Sequence, residues 1–329
     1  MDQLLDIISR TNQSASQILR EFVEAEMQMW PLANANYRGL ERVKERSFPF
    51  DGYEIRIQFN PERMSSSVAE VDKKSIAARR CFLCAENRPE EQDEIAFGDN
   101  FQILVNPFPI FKTHFTISCN SHTDQRFIPN VRNLFELSKA MEGFTVFYNG
   151  PECGASAPDH LHFQAGESSF LPITTDFEVL KSKAQILYSG QAQVWAVDNY
   201  LRKMISVETT SLDEGLRIVD IYYSHFQAMQ AEKMEPMMNA LCTFSEGKWT
   251  MHLFPRKAHR PSHFYAEGVK QILISPGSVD FGGVFILPRL EDFDKITGED
   301  IADILDQVCV DQDTFLELTG KIKTDLNRI

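Results

Sequence analysis

Cysteine is scarce in this chain, cations are outnumbered, and long apolar runs are missing. Six cysteines in 329 residues, at 81, 84, 119, 153, 242 and 309, are too few for a disulfide scaffold and fit a reducing, cytoplasmic setting. Lys and Arg number 33 against 47 Asp and Glu, a formal charge of −14, which excludes a broad nucleic-acid or acidic-membrane surface. Any phosphate must therefore meet a local site. Only 16 Gly and 15 Pro exclude collagen-like and low-complexity chains. No segment reaches the roughly 20 apolar residues of a membrane span, and Met1 to Gln13 lacks the basic-then-apolar pattern of a secretory signal.

What is present is a 43% hydrophobic content and a length sufficient for one large domain or two ordinary ones. Apolar residues at Leu4, Leu5, Ile8, Ile18, Leu19, Phe22, Val23 and Met27 predict a helical lead-in over residues 1–50, broken near Asn12 to Ser14. Alternation predicts a strand over Tyr53 to Phe59, and the polar stretch Met64 to Lys74 reads as a loop. Strands are expected from Phe101, His114, Phe144 and His160, with a helix over Val131 to Met141, which gives an α+β sheet. After Gly166 the texture repeats less clearly. A helix over Ser211 to Lys233, strands over Ala240 to Phe244, Lys248 to Pro255 and Val284 to Pro288, and an acidic helical end over Gly298 to Leu326 suggest a divergent duplication of one sheet unit.

Two motifs carry chemistry. Cys81-Phe82-Leu83-Cys84 is a C-x-x-C whose thiolates can clamp a soft metal from a tight turn, but two further ligands are required. A redox dithiol or two incidental thiols are the other readings. The second motif is Asp159-His160-Leu161-His162-Phe163-Gln164. On a strand, His160, His162 and Gln164 line one face while Leu161 and Phe163 point to the core. The small residues from Asn149 to Ser156 just upstream suit a backbone that approaches a phosphate closely.

The segments CFLCAENR (Cys81 to Arg88), FQILVNPFP (Phe101 to Pro109), HFTISCNSH (His114 to His122) and GASAPDHLHFQ (Gly154 to Gln164) occur in the order found in the histidine-triad superfamily. The chain resembles its transferase branch, which includes galactose-1-phosphate uridylyltransferases, dinucleoside tetraphosphate phosphorylases and GDP-hexose phosphorylases; HLHFQA is most like the last. The resemblance implies a histidine-triad-like antiparallel sheet with helices, duplicated as a catalytic and zinc-binding half over 51–170 and a divergent half over 171–329.

It further implies a structural zinc held by Cys81, Cys84, His122 and His160, with His162 as the nucleophile that carries the nucleotidyl group. Gln164 replaces the third histidine of the hydrolytic members and donates a hydrogen bond without delivering a proton, which favours transfer over hydrolysis. Gly154 and Ser156 match the phosphate-binding turn, although one extra residue, Asp159, separates Ser156 from the histidines. Asn106 and Phe108 match a segment that contacts ribose and base, with a turn and a core aromatic as the equal alternative, and Asn149 is a further binding candidate.

The implied partners are a nucleoside diphosphate sugar or dinucleoside polyphosphate, and inorganic phosphate or a sugar phosphate as acceptor; a homodimer is a further expectation. Arg63, Arg79, Arg80 and Arg88 are phosphate-binding candidates or solvated surface cations. Arg256, Lys257, His259, Arg260 and His263 form a basic island fit for a phosphate, and Pro261 argues against a metal between the two histidines. Cys119, Cys153, Cys242 and Cys309 read as apolar packing residues. A zinc-stabilised, non-catalytic nucleotide-binding protein is the reading outside enzymology.

Overall fold

The computed structural model describes residues 3–11, 13–64 and 73–328. The lead-in forms α1 (Gln3–Thr11), α2 (Ala15–Met29) and α3 (Pro31–Gly39). Helix α2 starts where the periodicity breaks, because Ser14 and Gln17 exchange side-chain and backbone hydrogen bonds in a capping box. A hairpin follows, β1 (Lys44–Phe50) and β2 (Tyr53–Phe59). Of the loop expected over 64–74, residues 65–72 lie outside the described residues; Lys73 and Lys74 open a short helix, α4 (Lys73–Ala78).

The first sheet unit consists of β3 (Glu94–Phe97), β4 (Phe101–Val105), β5 (His114–Cys119), α5 (Val131–Ala140), β6 (Phe144–Asn149) and β7 (His162–Glu167). After α6 (Ile173–Leu180), the second comprises β8 (Gln185–Ser189), β9 (Ala192–Val197), β10 (Met204–Thr209), α7 (Leu212–Met229), β11 (Met238–Ser245) and β12 (Lys248–Pro255). Then come β13 (Val284–Leu287), α8 (Gly298–Val308) and α9 (Gln312–Leu326).

Ten strands make one sheet in the order β3-β4-β5-β7-β6-β11-β12-β10-β9-β8. Read inward from either edge, the chain visits positions one, two, three, five and four, with one helix crossing between the third and fourth strands. The two units thus share a topology and join through the antiparallel pair β6–β11, where Asn149 faces Asn239. Cross-strand pairs repeat as well: Ser118 stands opposite His162, and Ser206 opposite His252. A second sheet, β1-β2-β13, places β13 of the second half parallel to β2 of the first.

Both faces of the large sheet are covered. Leu161, Phe163 and Ala165 of the β7 segment enter one core with Phe115, Phe144, Tyr222 and Leu318, while the opposite face packs Phe111, Phe147, Trp195, Leu241 and Phe254 into another. The expected alternation at Leu161 and Phe163 is therefore present. The strand itself begins at His162, not His160, since the His160 amide closes a turn onto the Ala157 carbonyl at 3.1 Å.

Packing on the site-bearing face is tight at Gly166, where a Cβ would stand 2.3 Å from Cγ of the fully buried Phe111. Gly166→Ala is expected to cost about 2 kcal/mol or more through overpacking, read as a lower denaturant midpoint with unchanged slope. Among the described residues no helix is long and apolar enough to cross a membrane.

Candidate active site

The turn before β7 and the segment after β5 converge on a four-residue cluster. Cys81, Cys84, His122 and His160 each offer one ligand atom, and these atoms lie within 4.8 Å of one another. Cys81 Sγ is 3.3 Å from His160 Nδ1, and Cys84 Sγ is 3.2 Å from His122 Nδ1. A tetrahedral zinc site with sulfur and nitrogen ligands has S–N edges of about 3.5 Å, so the donor set and spacing fit such an ion. The supporting contacts fit too. His160 Nε2 donates to the Cys119 carbonyl at 2.8 Å, which leaves Nδ1 as the free donor atom, and Asp159 Oδ2 lies 3.6 Å from His122 Nε2.

Burial opposes ionisation of Cys81, but its bond to His160 and the Leu83 and Cys84 amides bring the thiol down to about 6. Burial and the neighbouring Cys81 push Cys84 up to about 11. The pair gives up one proton readily and the second when a cation arrives. Cys153, Cys242 and Cys309 are buried as expected, and Cys119 is half-buried.

His162 is 3% exposed and fixed from three directions. Its ring Nδ1 donates to the His160 carbonyl at 2.8 Å, so Nε2 is left with the lone pair. The buried Gln125 accepts from the His162 amide at 2.8 Å and donates to its carbonyl at 2.9 Å and to the Asn149 carbonyl at 3.0 Å. Burial holds the imidazole pKa down to about 4, so the ring is neutral at pH 7.

Gln164 is oriented by a residue quoted within the sequence motif but given no role there. The Ile110 amide donates to His114 Nδ1 at 3.2 Å, so His114 carries its proton on Nε2 and donates it to Gln164 Oε1 at 3.0 Å. The carboxamide is thereby turned with its NH2 away from His114. Burial drives the His114 pKa down to about 3, which keeps this arrangement in place across the neutral range.

Two cavities meet at this strand. The larger, of ≈ 640 Å³, is lined by His162 and by apolar side chains including Trp30, Leu32, Phe82, Leu83, Leu104 and Phe108. Trp30 and Leu32 come from the lead-in, where helical periodicity gave no reason to expect them. The smaller, of ≈ 90 Å³, is lined by Asn149, Gly154 and, from the second half, His259, Arg260, Ser275 and Asp280. Arg63, Ser156 and Gln164 line both.

Asn106, Phe108, Asn149, Gly154 and Ser156 each border one cavity or the other, several with their side chains already engaged. Asn106 Oδ1 accepts from the Phe108 amide and its Nδ2 donates to Thr116 Oγ1, both at 2.9 Å, which builds the turn that was the alternative to ribose binding. Asn149 Oδ1 accepts from Asn239 and from the Ser278 amide at 2.8 Å. Gly154 has φ +97, and a Cβ there would meet Gly277 Cα at 3.0 Å, so the turn demands glycine. Arg79 spans Asp159 and the Ser156 carbonyl, each at 3.1 Å, which links the extra residue of this chain to the turn below the cavities.

The basic island divides. His259 and Arg260 line the smaller cavity, His263 lies 3.8 and 3.6 Å from Asp300 and Asp303, and Arg256 is fully buried beneath the site, bonded to Asn239 and to the carbonyls of Pro276, Ala258 and His259. Arg256 is thus a structural cation, which a sequence pattern of clustered charge does not reveal. Arg88 instead pairs with Glu94, away from either cavity.

Comparison with known proteins fits this architecture. Residues 22–167 match the family model described as a domain of unknown function (DUF4922), and residues 178–328 the model described as GDPGP1-like, C-terminal domain. No curated protein matches the sequence. Yeast Ap4A phosphorylase Apa2 in complex with AMP is 17% identical with a TM-score of 0.58, covering 87% of this chain and 95% of that one. The same enzyme in complex with Ap4A gives 16%, 0.58, 88% and 97%. An ADP-glucose phosphorylase from Arabidopsis thaliana with bound ADP-glucose is 14% identical over 82% of this chain and all of that one, at a TM-score of 0.38. The chain carries the fold of yeast Ap4A phosphorylase Apa2, and its residues 178–328 match the GDPGP1-like C-terminal domain.

Proposed function

We propose that the protein is a nucleotidyltransferase of the phosphorylase type, acting on a nucleoside diphosphate hexose, with a GDP-hexose first among candidates. The observation that carries the reading is the His162 ring: Nδ1 is tied to its own strand and Nε2 has no protein partner among the described residues, in a side chain that lines the larger cavity. Nε2 attacks the α-phosphorus, the bond to the bridging oxygen breaks, and hexose 1-phosphate leaves with the electron pair. The leaving group is already a stable anion, so no proton has to be supplied, which agrees with glutamine at position 164. The ring becomes cationic in the adduct, and the His160 carbonyl on Nδ1–H stabilises that charge. Gln164 NH2, Ser156 and the backbone near Gly154 hold the phosphoryl oxygens, while the apolar cavity takes the nucleoside, with Phe108 packed on the base and Asn106 at its polar edge; Asn149 borders the smaller cavity on the phosphate side.

Cys81, Cys84, His122 and His160 would hold a structural zinc, which would supply no chemistry to the substrate because four protein ligands complete its shell. The GDPGP1-like description of the second half favours a GDP-hexose. The fold shared with Ap4A phosphorylase favours a dinucleoside polyphosphate as the second reading. The test is incubation with GDP-, UDP- and ADP-hexoses and diadenosine polyphosphates without acceptor, followed by intact mass. A nucleotidyl adduct is expected from one donor class; an unmodified chain with every donor, and no turnover on adding phosphate, sinks the transferase reading.

Gln164→His should shift the balance toward water by restoring a group able to exchange a proton. The ratio of nucleoside monophosphate to diphosphate at fixed phosphate concentration is expected to rise at least about tenfold.

A further inference from the structure

The two sheet units differ at one place that bears on the site. In the second unit the ladder between β11 and β12 runs unbroken from Ser245 opposite Lys248, through Leu241 opposite His252, to Met238 opposite Pro255. His252 corresponds to His162, since each stands opposite a serine in the third strand of its unit. In the first unit the corresponding ladder, between β6 and β7, stops with Phe147 opposite Gln164. The same register carried two residues further would set Asn149 against His162, and the ladder does not reach that pair.

The side chain of Gln125 occupies the gap. Its Oε1 accepts from the His162 amide at 2.8 Å, and its Nε2 donates to the His162 carbonyl at 2.9 Å and to the Asn149 carbonyl at 3.0 Å. The residue is fully buried, and its three bonds use two donors and an acceptor, a set that neither a carboxylate nor a hydroxyl offers. The loop that delivers it, residues 120–130 between β5 and α5, has no counterpart in the second unit, where Thr210 and Ser211 alone join β10 to α7. That loop is fastened to the approach to β7: the Leu161 amide donates to the Thr123 carbonyl at 2.6 Å, and the Gln125 amide to the Pro158 carbonyl at 3.1 Å.

We propose that Gln125 is a positioning residue, whose carboxamide wedges β6 from β7 at residue 162 and so sets where the His162 ring stands; the kinetic consequence rests on the reading of His162 as nucleophile. Buried amides and carbonyls must be paired. Without the carboxamide, residues 149 and 162 would pair directly, as β11 and β12 do around His252, and His162 would be drawn toward β6. The wedge also lets the chain leave β6 after Asn149 and form the turn that carries Gly154 and Ser156. Nothing in this role requires Gln125 to touch substrate.

A crystal structure of Gln125→Ala tests the wedge. The His162 amide and the Asn149 carbonyl should come within hydrogen-bond distance, about 3 Å. Strands that stay apart with residue 162 in its wild-type place, with or without water in the gap, overturn the inference. Gln125→Met, which keeps the bulk and loses all three bonds, tests the consequence, with GDP-, UDP- and ADP-hexoses and diadenosine polyphosphates as donors and GMP, AMP and UMP as binding probes. Adduct formation in a single turnover should slow about 100-fold, the loss expected when a reacting group moves by about 1 Å. The Kd of the monophosphate that binds the wild type should stay within about threefold, a split that a general loss of structure would not give. Gln125→Glu should lose rate at least as far, because its carboxylate faces two carbonyls that the amide satisfied, and it decides the matter if Gln125→Met does not fold. A wild-type rate in either folded variant, or binding that falls as far as the rate, overturns the positioning role. Closed strands in Gln125→Ala, from a protein whose wild type forms no adduct with any donor, overturn the reading of His162 and leave the wedge standing.

Discussion

His162→Ala is expected to form no nucleotidyl adduct with any donor and to lose turnover by about 10⁴-fold or more. The size of the effect follows from what the ring does in this fold. It is the proposed nucleophile, and nothing beside it replaces Nε2: His160 turns its Nδ1 toward the thiols, and His114 spends both ring nitrogens on Ile110 and Gln164. Gln125, which grips the backbone of residue 162 on both sides, holds the strand whether or not the imidazole is present. The variant should therefore keep the wild-type melting temperature within a few degrees and still bind nucleotide. Quenched-flow kinetics and intact mass decide the matter; an adduct that survives in His162→Ala would transfer the nucleophile to another residue.

Cys84→Ser should lower bound zinc from about one per chain to near zero, and dialysis of the wild type against a strong chelator should do the same. The consequence for stability is large because the cluster joins parts of the chain that share little core. Only Leu83 and Ala157, with Cys81 and the partly buried Cys84, form the small apolar cluster around the metal ligands. Four ligands drawn from residues 81 to 160 would close loops that the surrounding side chains do not close by burial alone, so metal binding is expected to be in large part folding free energy for this corner. The expected outcome is a lower first unfolding transition by calorimetry, with Phe82, Ser156 and the adjoining turn gaining amide exchange. Full metal retention in Cys84→Ser, measured by elemental analysis, would contradict the ligand assignment.

The sequence announces some of this architecture through local periodicity and conceals the rest. Helices α1 and α2 and strand β2 follow from apolar spacing and from the cap at Ser14. Strands β9 and β10 give no such signal, because β10 is buried along its whole length and β9 nearly so, and a strand covered on both faces loses its alternation. The placement of His160 ahead of β7 was hidden for a different reason. Two histidines spaced by one residue look alike in a pattern, yet one closes a turn onto Ala157 while the other begins the ladder.

Within the site, the motif residues could be found because their chemistry is distinctive. Gln125, Trp30 and the orienting role of His114 are ordinary side chains made significant by contacts 37 to 77 residues away in sequence, such as Gln125 to His162 and Tyr37 to the His114 carbonyl. The separation of Arg256 from its basic neighbours likewise depends on burial beneath β11, which charge clustering does not encode.

The parallel pairing of β13 with β2 has a consequence for the order of synthesis. Strand β2 leaves the ribosome early and must wait until Val284 to Leu287 have emerged before its open edge is paired. The edge that waits carries Ile55 and Ile57, both fully buried in the finished protein. Until Val284 to Leu287 are made, this hairpin offers a pairing surface to any extended segment nearby. Nascent-chain protection, whether by chaperones or by slow translation, would matter most over that interval.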